Sequence, residues 1–159
     1  MKKKGKKWIL MEELIQLLDK HLVYDSHELM DNKLAIHVSS NRITATCPYC
    51  GQPSSKVHSL YMKNFQDLPV QGNKVTIYLL NRKFFCMNPD CTHKTFSERF
   101  DCISDKAKKT KRLEQEILTI AIHCSSMTAS KMLKRSTADI SKSTICNLLH
   151  KEHLRQFSH

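Results

Sequence analysis

Cys47-Pro48-Tyr49-Cys50-Gly51 opens, and Cys86-Met87-Asn88-Pro89-Asp90-Cys91 closes, the stretch that decides the fold of this chain. Two close cysteine pairs in turn-forming contexts are what a tetrahedral Zn²⁺ with four thiolates requires, because each tight loop supplies two ligands. Pro48 stiffens the first turn, and Gly51 can adopt the left-handed backbone that points amides back at the sulfurs. In the wider second loop the Asn88-Pro89-Asp90 turn does the same job. Four thiolates leave no open coordination position, so such a zinc holds the fold and catalyses nothing. A catalytic zinc wants three ligands, a water and a general-base carboxylate. The spacing predicts a structural Zn²⁺ on Cys47, Cys50, Cys86 and Cys91.

Other uses of these thiols stay open on the sequence alone. A redox Cys-x-x-Cys normally opens a helix, whereas Gly51-Gln52-Pro53-Ser54-Ser55 breaks one. Structural disulfides or unrelated buried thiols suit an oxidising compartment, and no secretory signal is read here. His58, His93 or Cys102 could take the place of one thiolate.

Outward from this module, 159 residues with 40% apolar content, three Gly and four Pro suit one or two small ordered domains. No apolar run approaches the roughly 20 residues of a membrane span. The opening Met1-Lys2-Lys3-Lys4-Gly5-Lys6-Lys7 leads into a Glu-bearing helix rather than a signal sequence, and a cytoplasmic, nucleoid-associated bacterial protein is expected. The net charge is +11. Lys plus Arg stands against Asp plus Glu at 8 to 6 in residues 1–44, 7 to 3 in 45–100 and 11 to 6 in 101–159. The excess grows toward the C-terminal third, where a polyanion would be gripped, although a basic surface also serves solubility.

Residues 7–22 carry Trp8, Met11, Leu14, Ile15, Leu18 and Leu22 at helical spacing, with Glu12, Glu13, Gln16 and Asp19 opposite. The Lys-rich leader before them could touch phosphates or remain a solvated tail. The period then changes to two. Leu34 to Val38 alternates as a half-buried strand, and Asp31-Asn32 suits a hairpin turn from a strand near His27 to Met30. Strands are also predicted over Val57–Lys63, over Lys74–Phe85 and over Lys94–Phe100, with Leu68 to Asn73 as a turn. So thin a sheet buries little apolar area, and the metal should supply much of its stability.

After a polar, basic linker from Asp101 to Thr110 the 3.6 period returns. Leu113, Ile117, Ile120, Ala121 and Cys124 define a helix over about 108–123. Ser126 is read as the cap of a second helix carrying Ala129, Met132 and Leu133, and 136–140 as the next turn. Ser141 can cap a third, over 142–154, with Ile145, Leu148 and Leu149 inward. This is a helix-turn-helix pattern. Its last helix would enter the major groove with Lys142, Ser143, Thr144 and Asn147 at the base edges. Lys131, Lys134, Arg135 and Lys151 would sit nearer the phosphates, adding salt-dependent affinity without reading sequence. A purely structural trihelical unit has the same periodicity. The expected fold class is α+β: residues 1–22 a basic leader and helix, 23–101 a zinc-stabilised β domain, and 102–159 a three-helix helix-turn-helix domain.

The cysteine pairs, together with Val57-His58-Ser59, Asp67-Leu68-Pro69, Arg82-Lys83-Phe84-Phe85-Cys86, Asn88-Pro89-Asp90-Cys91 and Thr95-Phe96-Ser97-Glu98-Arg99-Phe100, resemble the N-terminal zinc-binding part of bacterial insertion-sequence transposases of the ISL-three family. The resemblance covers about residues 23–157. It implies zinc ligands at Cys47, Cys50, Cys86 and Cys91 and a helix-turn-helix directly after the zinc domain. In that segment Cys124 to Thr128 lacks the small glycines of the family pattern, and Asn147 stands where arginine is usual.

Members of that family continue into a ribonuclease-H-like domain whose three carboxylates bind two divalent ions. The chain ends at His159, where that domain would begin, and Asp101, Asp105, Glu114 and Glu116 lie in a linker or on a solvated helix face. The expectation is a DNA-binding portion without catalytic residues, not itself an enzyme. Its expected partner is double-stranded DNA at the terminal inverted repeats of the element, with a second copy of the chain left open, and no membrane or small-molecule substrate. Two alternatives use the same residues. One is a zinc-containing regulator or repressor of transposition. The other is a zinc-stabilised assembly module acting through helices 7–22 and 108–123.

Overall fold

The computed structural model describes residues 6–156, with side chains from Leu10 onward. Residues 1–5 of the basic leader and the side chain of Trp8 lie outside them. The fold is mixed: helix α1 (Lys6–Leu18), strands β1 (Leu22–Met30), β2 (Lys33–Ser40), β3 (Ala45–Thr46), β4 (Pro53–Ser54), β5 (Val57–Val70), β6 (Asn73–Phe85) and β7 (Thr95–Ser97), then helices α2 (Lys111–Ala121), α3 (Ser126–Ser136) and α4 (Lys142–Gln156). The main sheet runs β1-β2-β6-β5, with β7 paired to β6, and β3 and β4 form a separate ribbon. No helix among the described residues is long and apolar enough to cross a membrane.

The chain divides into two compact units. The first comprises residues 1–27, 36–64 and 77–105. Alternating side chains of its strands are buried, Leu22 and Tyr24 on β1, Ile36 and Val38 on β2, Ile77 and Leu79 on β6, as period-two patterning requires. β7 pairs antiparallel with β6, Phe84 opposite Phe96. Beside that pair the carboxylate of Glu98 is fully enclosed and accepts from Arg82 Nε at 2.9 Å and from Ser40 Oγ at 2.6 Å, with Arg42 Nη1 at 3.4 Å. One buried carboxylate thus ties β7 to β6 and to the end of β2.

The second unit joins two hairpin tips, residues 28–35 and 65–76, to residues 106–159. Both tips are two-residue turns with left-handed backbone throughout, Asp31 (φ 44°) with Asn32 (φ 61°) and Gln71 (φ 48°) with Gly72 (φ 79°). That geometry follows the natural twist of the flanking strands. Helices α2, α3 and α4 each pack on the other two around Leu113, Ile117, Ala129, Leu133, Ala138, Ile140 and Ile145, with Leu68, Leu148 and Leu149 at the margin.

Several boundaries differ from the sequence-based expectation. α1 stops at Leu18, and Leu22 begins β1 fully buried. The side chain of Asp19 instead accepts from the amide of His21 at 2.9 Å, turning the chain into the strand. On α1, Ile15 is buried while Leu10, Leu14 and Leu17 are exposed. The turn expected over Leu68–Asn73 contracts to Gln71-Gly72, because β5 continues through Pro69. β5 lies at the sheet edge, where a residue without an N–H is tolerated. The linker before α2 is partly ordered. Gln66 donates to Lys108 at 2.9 Å and accepts from the amide of Thr110 at 3.0 Å, so residues 108–110 are held on β5 and α2 starts at Lys111. Ser125 rather than Ser126 caps α3, its Oγ accepting from the Thr128 amide, and Met132 is exposed rather than inward.

Candidate metal centre and nucleic-acid interface

In the first unit the β3-β4 ribbon carries Cys47 and Cys50 in the loop between its strands, and β6 delivers Cys86. The first loop is closed by two backbone bonds of 2.9 Å, Cys47 N–H to Gln52 O and Gly51 N–H to Cys47 O. Gly51 sits at φ 76°, and an added Cβ there would touch nothing, so its requirement is conformational rather than spatial. In the second loop the Asn88 side chain accepts from the Asp90 amide at 3.0 Å and the Asn88 carbonyl accepts from Cys91 N–H at 3.2 Å. The amide of Cys86 donates to Lys94 at 2.9 Å.

These loops bring the sulfurs of Cys47, Cys50, Cys86 and Cys91 within 4.8 Å of one another. Cys50 and Cys86 are 3.5 Å apart, far beyond a disulfide bond. A regular tetrahedron with metal–sulfur arms of about 2.3 Å has edges of roughly 3.8 Å, so the cluster has the size of a zinc thiolate site. The Gln52 amide donates to Cys50, and with contributions from Cys86, Cys47 and the Asn88 side chain it pulls that thiol down to about 7, against burial. At Cys86 the Asn88 amide likewise favours the thiolate, but burial and the sulfurs of Cys50, Cys47 and Cys91 outweigh it and push the thiol up to about 12. Cys50 and Cys86 are therefore driven in opposite directions. A divalent cation held by Cys47, Cys50, Cys86 and Cys91 would supply the charge that lets all four be thiolates. The residues fit a structural zinc, packed on Ala45, Phe84 and Phe96.

The other ligand candidates lie elsewhere. His93 stacks on Tyr49 and its Nδ1 is 3.0 Å from Thr92 Oγ1. His58 lies edge-on to Phe85, and Cys102 is buried outside the cluster. Among the described residues the four cysteines are the one group of this kind, and Asp101, Asp105, Glu114 and Glu116 do not converge.

In the second unit the side chain of Ser141 accepts from the amide of Thr144 at 3.2 Å, capping α4. Its oxygen also lies 2.9 Å from the hydroxyls of Ser143 and Thr144. Lys142, Ser143 and Asn147 are exposed, and Thr144 is half-buried. Ser143, Asn147 and Lys151 recur every four residues, along one outer face of α4. Lys131, Lys134 and Arg135 are exposed on α3, the last two in its final turn. Two further lysines, Lys33 and Lys74, belong to the same unit and escaped the sequence reading, since nothing but adjacency to a turn marks them.

The unit is fixed to its hairpin by Asp67, 4% exposed. It accepts from the Thr110 hydroxyl at 2.7 Å and from Arg112 Nε at 2.8 Å, and Arg112 Nη2 reaches its second oxygen. Thr110 in turn caps α2 by accepting from the Leu113 amide.

Residues 43–91 match the family model described as the zinc-finger of transposase IS204/IS1001/IS1096/IS1165. No curated protein and no solved structure matches the chain.

Proposed function

We propose, from a zinc ribbon of the transposase type at residues 43–91, that the chain is the DNA-recognition part of an insertion-sequence transposase and binds the terminal inverted repeats of its element. In this reading the zinc is structural and holds the small sheet. The helices α3 and α4 form a helix-turn-helix whose second member enters the major groove. Lys142 donates to guanine acceptors, Asn147 pairs with adenine, and Ser143 and Thr144 serve either base. Lys131, Lys134, Arg135 and Lys151 neutralise phosphates. The observation that carries this is the outer face of α4: basic and amide side chains stand exposed from its capped N-terminus while Ile145 alone is fully buried. Strand cleavage is assigned to none of these residues.

A selection from randomised duplexes at two salt concentrations tests the reading. Enrichment of one motif, found again at the ends of the parent element and bound less tightly as salt rises, is the expected result. Enrichment of promoter sites instead would identify a regulator of transposition. Absence of binding, or binding indifferent to salt, would overturn the DNA reading. The exposed Leu10, Leu14 and Leu17 of α1 favour assembly of copies as a second reading, tested by sedimentation of the zinc-loaded chain.

A further inference from the structure

Lys33 and Lys74 are 41 positions apart, yet the fold places both at hairpin tips that are bonded side by side. The amide of Lys74 donates to the carbonyl of Asn32 at 2.9 Å. Both tips are tight two-residue turns with left-handed backbone, so the positions following them are held rather than free to sample. From its tip Lys74 extends Nζ to within 2.8 Å of Asp139 Oδ1, in the connection between α3 and α4. Asp139 lies three residues before Lys142, at the entry to α4. Its carboxyl is held below the usual carboxylate range by the hydrogen bond from Lys74 and by the charges of Lys74, Lys33 and Lys134, against a smaller effect of burial.

Lys74 bonds this carboxylate directly, while Lys33 and Lys134, from two other segments, act on it through their charge alone, leaving an excess of positive charge. Stability does not account for the arrangement, because an ion pair whose acid is 63% exposed contributes little. The side chains beside the lysines, Asp31, Asn32 and Gly72, are short and polar or absent; Lys33 is exposed, and Lys74, half-buried, turns its ammonium toward Asp139.

We propose that Lys33 and Lys74, with Lys134, form a phosphate clamp in which the hairpin tips grip the DNA backbone beside the bases that α4 reads. This rests on the DNA-binding reading and extends it from the helices to the sheet. Asp139 orients Lys74 and keeps the lysines from repelling one another before DNA arrives. Lysine contacts of this kind position a protein without reading sequence.

The test uses the zinc-loaded full chain, its selected duplex and an unrelated duplex, with affinities measured at 50 and 200 mM salt. Each phosphate contact makes that fourfold rise in salt cost about 3.5-fold in affinity. Replacing Lys33 and Lys74 by Gln should therefore shrink the wild-type ratio between the two salts by roughly tenfold, equally on both duplexes, with sequence preference intact. Lys33→Arg with Lys74→Arg should restore the wild-type slope. Asp139→Asn should tighten binding to both duplexes. Thermal midpoints close to wild type, measured first, exclude unfolding as the cause. Wild-type salt dependence in the Gln variants would overturn the clamp and leave the DNA reading standing. A wild-type chain that binds neither duplex would overturn both.

Discussion

The imidazole of His93 lies flat on the phenol ring of Tyr49, with 3.4 Å between ring centroids and 3° between planes. Tyr49 belongs to the first cysteine loop and His93 follows the last cysteine of the second, so the stack links the two ligand loops to each other. Tyr49→Ala should leave zinc stoichiometry at one while accelerating its loss to a competing chelator, since a pair of this kind contributes about 1 kcal/mol beyond its buried area. Tyr49→Phe should behave as wild type. Equal release rates for all three proteins would deny the stack any part in retaining the ion.

Removing zinc should do far more. The apolar cluster around the cysteines has only Ala45, Phe84 and Phe96 besides the sulfurs, too little to hold the ribbon and β7 alone. Excess chelator should abolish the strand signal of the first unit in one cooperative step, and Cys50→Ser or Cys91→Ser should do so without chelator. Amide exchange is the measure. Continued protection of β6 and β7 in the zinc-free protein would mean that the sheet folds without its metal.

At Asp67 the prediction concerns the helical unit. Asp67→Ala removes the carboxylate that Arg112 and the Thr110 hydroxyl both donate to, and so loosens the cap of α2. A loss of about 2–3 kcal/mol is expected, below the fully buried case because Arg112 is half exposed. Thr110→Ala should cost about 1 kcal/mol. Because the two share one hydrogen-bond network, the double variant should lose less than the sum. Strict additivity in urea unfolding would show that the cap and the ion pair act independently.

The metal site was legible because its ligands are close in sequence and each pair carries its own turn. The Asp31-Asn32 hairpin was legible for the same reason, as both residues tolerate left-handed backbone. What escaped depended on contacts between distant segments. Asp67-Leu68-Pro69 stood out as a motif, but its task, anchoring Thr110 and Arg112, is visible only once β5 pairs with residues 108–110. The helix expected to run to Leu22 failed because an apolar residue at helical spacing is equally good at the start of a buried strand. Lys33 and Lys74 gave no signal, since a lysine after a turn is the commonest of surface features.

Protonation of Asp139 gives a pH signature. Its folded carboxyl titrates below the usual range, chiefly through the Lys74 hydrogen bond. The contribution is therefore fully present above the unfolded value of about 3.9 and is lost as pH falls through the lower folded value. Wild type should exceed Asp139→Asn in stability by a small, constant margin from pH 7 to about pH 5, on the order of 0.5 kcal/mol for so exposed a pair. The margin should vanish in more acidic solution. A margin that grew toward acid would reverse the assignment.

Lys142 and Lys134 separate base reading from backbone contact. Lys142 is the first residue of α4, at the end that enters the groove in the proposed reading, whereas Lys134 lies in the last turn of α3. If α4 reads bases, Lys142→Ala should lower affinity for the selected duplex by about 1–3 kcal/mol and flatten preference at one base position. Asn147→Ala should do the same at a neighbouring adenine. Lys134→Ala should weaken every duplex alike and lower the salt exponent by about one, leaving preference untouched. The comparison is internal to one set of titrations, so differences in protein quality cancel. Uniform, salt-dependent losses from Lys142→Ala and Lys134→Ala alike would place both side chains on phosphates and move base recognition away from α4.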